Sequence, residues 1–233
     1  MKKTIWVTGA SSGIGKAIAK KFAENNLSIV GSARRVELVE SINNNLIDAQ
    51  KIIALKNDVS NYEDVQKTVK EIQSQFEIDC LINNAGISAF KSFTDTSLEE
   101  IQNIIDVNLL GSIYTTKAVL PEMIKRKSGT IINILSVATK TVFTNSSIYT
   151  ASKSGLEAFA KVLREEVREH NIRIINIFPG ATATEIWPKD ALAEFENKMM
   201  DTTKFADLIL RIYTSDASLS PEEIVVRPIS GDL

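Results

Sequence analysis

The stretch from residue 5 to residue 22 constrains the fold more than any other part of the chain. A short apolar run at residues 5–7 leads into the glycine-rich segment 8–15, and a helical pattern through Ile18, Ala19 and Phe22 follows. A strand, a turn and a helix in this order let glycines bring the backbone close to a pyrophosphate at the positive end of the helix. The spacing Gly-x-x-x-Gly-x-Gly departs from the Gly-x-Gly-x-x-Gly fingerprint. The segment predicts a dinucleotide site, with a glycine-rich turn that binds no ligand as the alternative.

Apolar strand patterns then alternate with helical patterns along the rest of the chain. Strands are predicted near residues 28–32, 52–55, 79–83, 130–135, 173–178 and 224–228. Capping boxes at Ser60 and Glu63 and at Ser97 and Glu100 predict helices that run to about residues 76 and 125, and Pro121 is expected to kink or end the second. Alternation of this kind predicts one α/β domain over residues 1–233, a doubly wound, Rossmann-type parallel sheet of about seven strands with helices on both faces.

Composition limits the classes of partner and compartment. With 44% hydrophobic and 24% charged residues and a net charge of −2, the chain has the composition of a globular domain, and we expect no nucleic-acid or membrane partner. The single cysteine excludes an internal disulfide and fits a reducing compartment. The apolar run near the start is too short for a secretory signal, so we expect a cytoplasmic protein. No metal site is expected.

Tyr149 and Lys153 form the pair with the clearest chemical potential. They stand four residues apart in a helical pattern over residues 148–168, so they share one face of a helix. A fixed ammonium favours the phenolate, lowers the tyrosine pKa and makes the pair a candidate acid or base near neutral pH. The alternative is a solvated helix face without a chemical role.

Further motifs fall at the ends of the predicted strands, and together they resemble those of one family. They are Thr-Gly-x-x-x-Gly-Ile-Gly at 8–15, Asn-Asn-Ala-Gly at 83–86, Asn108, Ser136, the pair Tyr149 and Lys153, and Pro-Gly at 179–180 followed by Thr182. In this order they resemble the short-chain dehydrogenase/reductase family, in its compact single-domain branch, from about residue 4 to residue 184.

The resemblance implies a set of catalytic roles. Tyr149 would exchange a proton with the substrate oxygen as hydride moves between the nicotinamide and the substrate carbon. Lys153 would hold the nicotinamide ribose and lower the Tyr149 pKa, and Ser136 would orient the carbonyl and stabilise its developing charge. Asn108 would hold a water in a proton relay from Lys153. The alternative for Asn108 is a side chain that satisfies a local helix kink.

The same resemblance implies the cofactor contacts. The pyrophosphate and the adjacent ribose would be surrounded by Gly9, Ser11, Ser12, Gly13, Ile14 and Gly15. The adenine would meet Asp58 and Val59, and the ribose next to it would lie over Asn84, Ala85 and Gly86. The nicotinamide would be flanked by Pro179, Gly180 and Thr182.

The choice of cofactor depends on Ala33, Arg34 and Arg35, at the end of the second predicted strand. NAD-preferring relatives carry an acidic residue about where Ala33 stands, and such a carboxylate would repel a 2′-phosphate. The Arg34 guanidinium can instead grip that phosphate through a fork of charge-assisted hydrogen bonds, with Arg35 beside the adenine. We therefore predict NADP(H) rather than NAD(H); the alternative is a solvated pair of arginines.

An apolar substrate pocket is predicted from Phe143 and Trp187. Phe143 lies between Ser136 and Tyr149 in the sequence, and Trp187 lies in the segment 181–201, where the resemblance implies a mobile substrate loop. Either ring could instead belong to the core. The expected activity is an oxidoreductase acting on a small ketone, aldehyde or secondary alcohol.

A dinucleotide-binding regulatory protein of the same fold, without turnover, is the alternative function. Members of the family that have lost activity usually lack the tyrosine or the lysine. This chain has both, together with Ser136 and Asn108, which favours the enzyme.

Assembly is suggested by apolar residues on more than one face of two predicted helices. Ile113 and Val119 lie on the helix that ends near residue 125, and Phe159 and Val162 lie on the helix that carries Tyr149. A one-sided contact with the sheet needs fewer. The resemblance implies that these helices pair across a two-fold axis, so we expect a homodimer or homotetramer.

Overall fold

One parallel sheet forms the centre of the computed structural model, which describes residues 1–231. Its strands are β1 (Lys2–Thr8), β2 (Ile29–Ala33), β3 (Ile53–Lys56), β4 (Phe76–Asn83), β5 (Gly129–Ile134), β6 (Ile172–Pro179) and β7 (Glu223–Val226). They pair in the order β3-β2-β1-β4-β5-β6-β7, and every pairing is parallel. The prediction of a doubly wound sheet of seven strands is confirmed. The order reverses between β1 and β4, and this is the point at which such sheets bind ligands.

Residues 1–231 form eight α-helices, and most of them pack on the two faces of the sheet. They are α1 (Gly13–Glu24), α2 (Val36–Glu40), α3 (Tyr62–Gln73), α4 (Leu98–Ile105), α5 (Gly111–Arg126), α6 (Ser147–Val167), α7 (Lys189–Phe195) and α8 (Thr202–Tyr213). Within residues 1–231, no helix has the length and apolar character needed to cross a membrane.

Alternation along β1 shows how the strands build two cores. Ile5 and Val7 point to the face covered by α1 and α8, while Trp6 between them points to the face covered by α3, α5 and α6. All three side chains are buried. Because successive strand residues point to opposite faces, an unbroken apolar run is what a sheet covered on both sides requires.

The two predicted capping boxes differ in outcome. At Ser97 the box is confirmed, since its hydroxyl accepts from the Glu100 N–H at 3.2 Å and the Glu100 carboxylate accepts from the Ser97 N–H at 2.9 Å. The box at Ser60 is wrong, because α3 begins one residue later and Asn61 caps it by accepting from the Asp64 N–H at 3.1 Å. Ser60 instead donates to the Asp58 carboxylate at 2.7 Å.

The helix predicted to run to about residue 125 is interrupted in its middle rather than at its proline. A π turn at Asp106–Leu110 separates α4 from α5. The helix does not end at Pro121, since α5 continues to Arg126 and stops at Lys127, whose φ of 53° is left-handed. Proline removes one backbone donor, and the rest of the helix tolerates this loss.

The four apolar residues proposed to reach a second helix face divide into two kinds. Val119 is 1% exposed and lies in the core under α5, so it is on the face of the helix that packs on the sheet. Phe159 also packs against the core, although it is only partly buried. Val162, on α6, is 62% exposed, and Ile113 is half-buried.

A chain of buried side-chain amides ties the adjacent strands β4, β5 and β6 together. Asn83, Asn133 and Asn176 lie side by side on β4, β5 and β6. The Asn83 Nδ2 donates to Asn133 Oδ1 at 3.0 Å, and the Asn133 Nδ2 donates to Asn176 Oδ1 at 3.0 Å. Thr115 and Thr116 of α5 bind the Asn83 end at 2.7 and 3.1 Å. We call Asn83, Asn133 and Asn176 the amide ladder. Its hydrogen bonds form only if β4, β5 and β6 keep this register.

Candidate active site

A cavity of about 620 Å³ opens at the carboxyl edge of the sheet, across the point where the strand order reverses. All but two of the predicted site residues line it. They are Gly9, Ser11, Ser12, Gly13, Ile14, Ala33, Arg34, Arg35, Asp58, Val59, Asn84, Ala85, Gly86, Ser136, Phe143, Tyr149, Lys153, Pro179, Gly180, Thr182 and Trp187. The two others, Gly15 and Asn108, lie behind its wall, against lining residues.

The glycine-rich turn after β1 is locked to the end of β4. Gly9 has a φ of +65°, and a Cβ there would lie 2.8 Å from the Ala85 Cα, so this position admits only glycine. The Thr8 hydroxyl accepts from the Asn84 and Ala85 N–H groups at 3.1 and 3.2 Å, and the Asn84 side chain donates back to the Thr8 carbonyl at 3.0 Å. The turn is therefore fixed in the shape that brings the N-terminus of α1 to the cavity.

Asn108 sits inside the π turn and is fully buried. Its Oδ1 accepts from the Ile87 N–H at 2.8 Å, while its Nδ2 donates to the Ile87 carbonyl at 2.9 Å and to the Ser152 hydroxyl at 3.0 Å. A π turn widens the helix by one residue and is frequent at functional sites. The side chain therefore fixes the segment after β4 against α6, whereas the alternative from the sequence placed its bonds at a local helix kink.

The relay predicted for Asn108 stays a prediction. Both amide hydrogens of its side chain are already used within the protein. A Cβ placed on Gly86 would lie 3.5 Å from both the Asn108 Oδ1 and the Lys153 Nζ, so the two polar groups flank the same glycine.

Lys153 is an almost fully buried cation on the inner face of α6. Its Nζ donates to the Ile134 carbonyl, at the end of β5, at 2.7 Å and lies 6.0 Å from the centre of the Tyr149 ring. The side chain is 3% exposed, and burial lowers its pKa to about 8. Burial removes the water that would stabilise the charged ammonium, and a hydrogen bond to one carbonyl replaces only a small part of that stabilisation.

The Tyr149 pKa differs from the expectation. Burial raises it above its ordinary value, and hydrogen bonding with Ser136 opposes that rise without cancelling it. The expected lowering by Lys153 is wrong for this structure, because the ammonium is bonded to Ile134 and burial is the larger effect. At neutral pH the Tyr149 hydroxyl therefore keeps its proton and can donate it.

Ser136 lies two residues after the end of β5 and faces Tyr149. Its Oγ accepts from the Ala138 N–H at 3.1 Å, which caps the short 3₁₀ turn Val137–Thr139. Because the hydroxyl oxygen accepts in this bond, the O–H hydrogen can point toward Tyr149 or toward a ligand in the cavity. Ser136 and Tyr149 thus offer two hydroxyl donors at one wall of the cavity.

The opposite end of the cavity carries one carboxylate and two cations. Asp58 accepts from the Ser60 hydroxyl and N–H through Oδ1 at 2.7 and 3.0 Å. Its Oδ2 has no hydrogen-bond donor in the part of the chain that the structure describes. The exposed side chains of Arg34 and Arg35 likewise have no hydrogen bond or ion pair within residues 1–231. This end can therefore bind an amine and an anionic group together.

An aromatic pair lies over the substrate end, and only one of its members was predicted. The Phe90 and Trp187 rings stack with centres 5.3 Å apart and planes 6° apart, and both line the cavity. The Trp187 Nε1 also donates to the Thr182 carbonyl at 3.0 Å. Phe90 was not predicted as a site residue. Its position shortly after the Asn-Asn-Ala-Gly segment at the end of β4 is the sequence signal that could have identified it. Phe143 lines the same end and packs against the core.

The segment 181–201 is closed at its base. Met200 donates to the Ala181 carbonyl at 2.8 Å, and Ala183 donates to the Met200 carbonyl at 3.0 Å. Between these bonds the segment carries α7 and Trp187, and few of its side chains are buried. Both ends of the segment are therefore fixed, and we call residues 181–201 the flap.

Comparisons with known proteins agree with this geometry. A family model described as short chain dehydrogenase matches residues 3–194. An uncharacterized oxidoreductase of Staphylococcus aureus strain MW2 is 34% identical over 225 residues, which cover 96% of each chain. An alcohol dehydrogenase from the archaeon Thermococcus sibiricus, solved in complex with 5-hydroxy-NADP, has a TM-score of 0.88 and 26% identity, covering 98% of this chain and 97% of its own. A metagenomic short-chain oxidoreductase solved with NADP has a TM-score of 0.84 and 29% identity, covering 97% and 96%.

Proposed function

Because this chain belongs to the short-chain dehydrogenase/reductase family, we propose that it transfers a hydride between NADP(H) and a small carbonyl compound or secondary alcohol. One observation carries the proposal. The hydroxyls of Ser136 and Tyr149 and the buried ammonium of Lys153 line the same cavity as the glycine-rich turn and Arg34.

The residues at the cavity fit a bound NADP(H). The cradle at Gly9, which any Cβ would fill, and the N-terminus of α1 suit a pyrophosphate. Arg34 and Arg35, without partners within residues 1–231, suit a 2′-phosphate, and Ala33 brings no carboxylate that would repel it. When bound, the cofactor supplies or accepts the hydride. The NADP in two of the related structures supports the same choice.

The remaining cofactor contacts follow the family pattern. The Asp58 Oδ2 would accept from the adenine amine beside Val59. Asn84, Ala85 and Gly86 would lie under the adjacent ribose, and Pro179, Gly180 and Thr182 would flank the nicotinamide.

For reduction, the chain's own groups supply the proton and the orientation. Ser136 donates to the substrate carbonyl oxygen and holds it beside Tyr149. Tyr149, protonated because burial raises its pKa, gives its proton to that oxygen as the carbon gains hydride, so the carbonyl becomes an alcohol. Lys153 binds the ribose hydroxyls, and its charge stabilises the phenolate that remains. Asn108 completes a relay that returns a proton to Tyr149.

The flap at residues 181–201 is proposed to move during turnover. Its base is fixed by backbone hydrogen bonds, while the part that carries Trp187 is held over the cavity by a ring stack and one side-chain bond. Opening there would admit the substrate, and closing would exclude water.

We further propose a homodimer or homotetramer in the cytoplasm. The exposed Val162 and the half-buried Ile113 support an interface on the outer faces of α6 and α5. The free, buried thiol of Cys80 suits a reducing compartment.

The direct test is a titration with NADPH, followed by a screen of ketones, aldehydes and secondary alcohols by absorbance of the cofactor. Saturable binding with turnover of any carbonyl or alcohol is the expected result. Tight binding without turnover across the screen would favour the non-catalytic regulatory protein instead.

Cofactor preference has its own test in the double variant Ala33→Asp with Arg34→Gln. Removing a forked, charge-assisted contact and adding a repelling carboxylate should weaken NADPH binding by about ten- to a hundredfold and improve NADH, mainly through KM. Arg35→Gln is the control, with a smaller expected loss. A wild-type protein that used NADH with equal or better kcat/KM would contradict the preference and leave the Tyr149 chemistry standing.

A further inference from the structure

The substrate end of the cavity is walled by rings and aliphatic side chains. Phe90 and Trp187 stack over it, Phe143 lines it from the core side, and Ile186 borders Trp187. Such rings bury large apolar areas and prefer stacked or edge-to-face contacts with other rings.

This end offers no cation that could pair with a substrate carboxylate. Among the described lining residues, the cations are Arg34, Arg35 and Lys153. The two arginines follow β2, which is separated from the Ser136 end of β5 by β1 and β4, about 14 Å of sheet. The Lys153 ammonium is bonded to Ile134 and, in the proposed function, serves the cofactor ribose.

Among the flap residues that line the cavity, the charged side chain is Glu185, and it brings no cation either. It lies beside the glycine-rich turn, since its Oε2 is 3.6 Å from where a Cβ on Gly13 would stand. A substrate carboxylate would therefore lose hydration among the rings without a counter-charge. Burial of an unpaired charge is strongly unfavourable.

We infer that the substrate is an uncharged carbonyl compound with a planar ring beside the carbonyl, and that Phe90 and Trp187 determine this specificity by contact with the ring. The inference rests on the proposed function. In the step, the carbonyl carbon gains hydride as NADPH is oxidised to NADP⁺, and the oxygen gains the Tyr149 proton to give a neutral secondary alcohol.

Four commercial keto compounds separate the two parts of this inference. Ethyl benzoylformate and benzoylformate share a ring and differ in charge, while ethyl pyruvate and pyruvate form the same pair without a ring. With NADPH, each ester should exceed its acid in kcat/KM by about tenfold or more, because the acid buries an unpaired charge. The ring-bearing ester should exceed ethyl pyruvate by about tenfold, chiefly through KM.

Variants of the aromatic pair test the residues themselves. Phe90→Leu and Trp187→Leu should each remove most of the preference for ethyl benzoylformate over ethyl pyruvate, measured as the ratio of the two kcat/KM values within each variant. Phe93→Leu is the matched control, since Phe93 lies in the same connection, is 62% exposed and is not among the residues that line the cavity. Its ratio of rates should equal that of the wild type.

The possible outcomes separate this inference from the proposed function. Pyruvate or benzoylformate turned over as fast as its ester, or no gain from the ring, would overturn the inference while the oxidoreductase stands. NADPH binding without turnover of any of the four compounds would also overturn it. A protein that binds neither NADPH nor NADH would overturn the proposed function as well.

Discussion

Replacing Lys153 by methionine should make the cofactor-free protein more stable while removing its activity. The buried ammonium is held by a single carbonyl, that of Ile134, and burial lowers its pKa from its ordinary 10.5 to about 8. That difference corresponds to about 3 kcal/mol of destabilisation at neutral pH. Methionine fills a similar volume without a charge.

The net gain is smaller because the substitution leaves the Ile134 carbonyl without its donor, which costs about 1 to 3 kcal/mol. A net stabilisation of up to about 2 kcal/mol remains, and for a chain of this size it raises Tm by up to about 8 °C. Differential scanning calorimetry without cofactor measures this rise. Lys161→Met, on the same helix, is the control; the Lys161 ammonium is 47% exposed and paired with Glu157 at 2.6 Å, so its loss should leave Tm unchanged or lower it.

The same account predicts how the stability contributed by Lys153 changes with pH. Between about pH 8 and pH 10.5 the unfolded chain keeps the Lys153 proton while the folded protein loses it, so the lysine's contribution to stability rises with pH. From pH 7 to pH 9 the Tm advantage of Lys153→Met over the wild type should therefore shrink, by about 1 kcal/mol of stability. Comparing the two proteins cancels the other groups that titrate in this range. A variant with a lower Tm at pH 7, or a difference in Tm that moves further in favour of the variant as the pH rises, would refute the account of Lys153 as a destabilising buried charge.

Three further predictions follow from the site, the sheet and the surface. Tyr149→Phe should bind NADPH as the wild type does and lose about 10²- to 10⁴-fold in kcat, because only the transferable proton is removed; a variant with more than about a tenth of wild-type activity would exclude Tyr149 as the acid. Asn133→Leu should lower stability by about 1 to 3 kcal/mol, since it leaves the buried Asn176 Oδ1 without its donor while Asn83 keeps its bonds to Thr115 and Thr116, and chemical denaturation that shows no loss of stability would contradict the amide ladder's role. Light scattering at micromolar concentration should give the mass of a dimer or tetramer, and Val162→Asp, at the exposed outer face of α6, should reduce it; a monomeric wild type would refute the proposed assembly.

The features that the sequence predicted correctly are local or periodic. Glycine spacing after β1, the four-residue step from Tyr149 to Lys153 and the alternation of strands and helices each depend on residues close in the chain, so backbone geometry alone decides them. The capping box at Ser97 belongs to the same class. At Ser60 the same pattern predicted the wrong cap. Asn61, one residue later, is an equally good capping residue, and the sequence pattern alone does not distinguish the two.

The features that the sequence did not reveal depend on tertiary contacts. Phe90 and Trp187 stand far apart in the chain and meet only because the end of β4 and the flap border the same cavity. The sign of the Tyr149 pKa change required knowing that burial outweighs the neighbouring ammonium. The apolar spacing of Ile113 and Val119 likewise did not show which of the two faces the core, and the structure buries Val119.

The amide ladder has a consequence for how this chain can change over generations. Replacing Asn133 removes the donor of the Asn176 Oδ1 and one acceptor of the Asn83 Nδ2, and replacing either end residue removes one hydrogen-bond partner of Asn133. An apolar triplet would fill the same space without orphans, but single substitutions reach it only through damaged intermediates. Asn83, Asn133 and Asn176 are thus inherited as one unit, and among descendants of this chain they should be kept together or exchanged together.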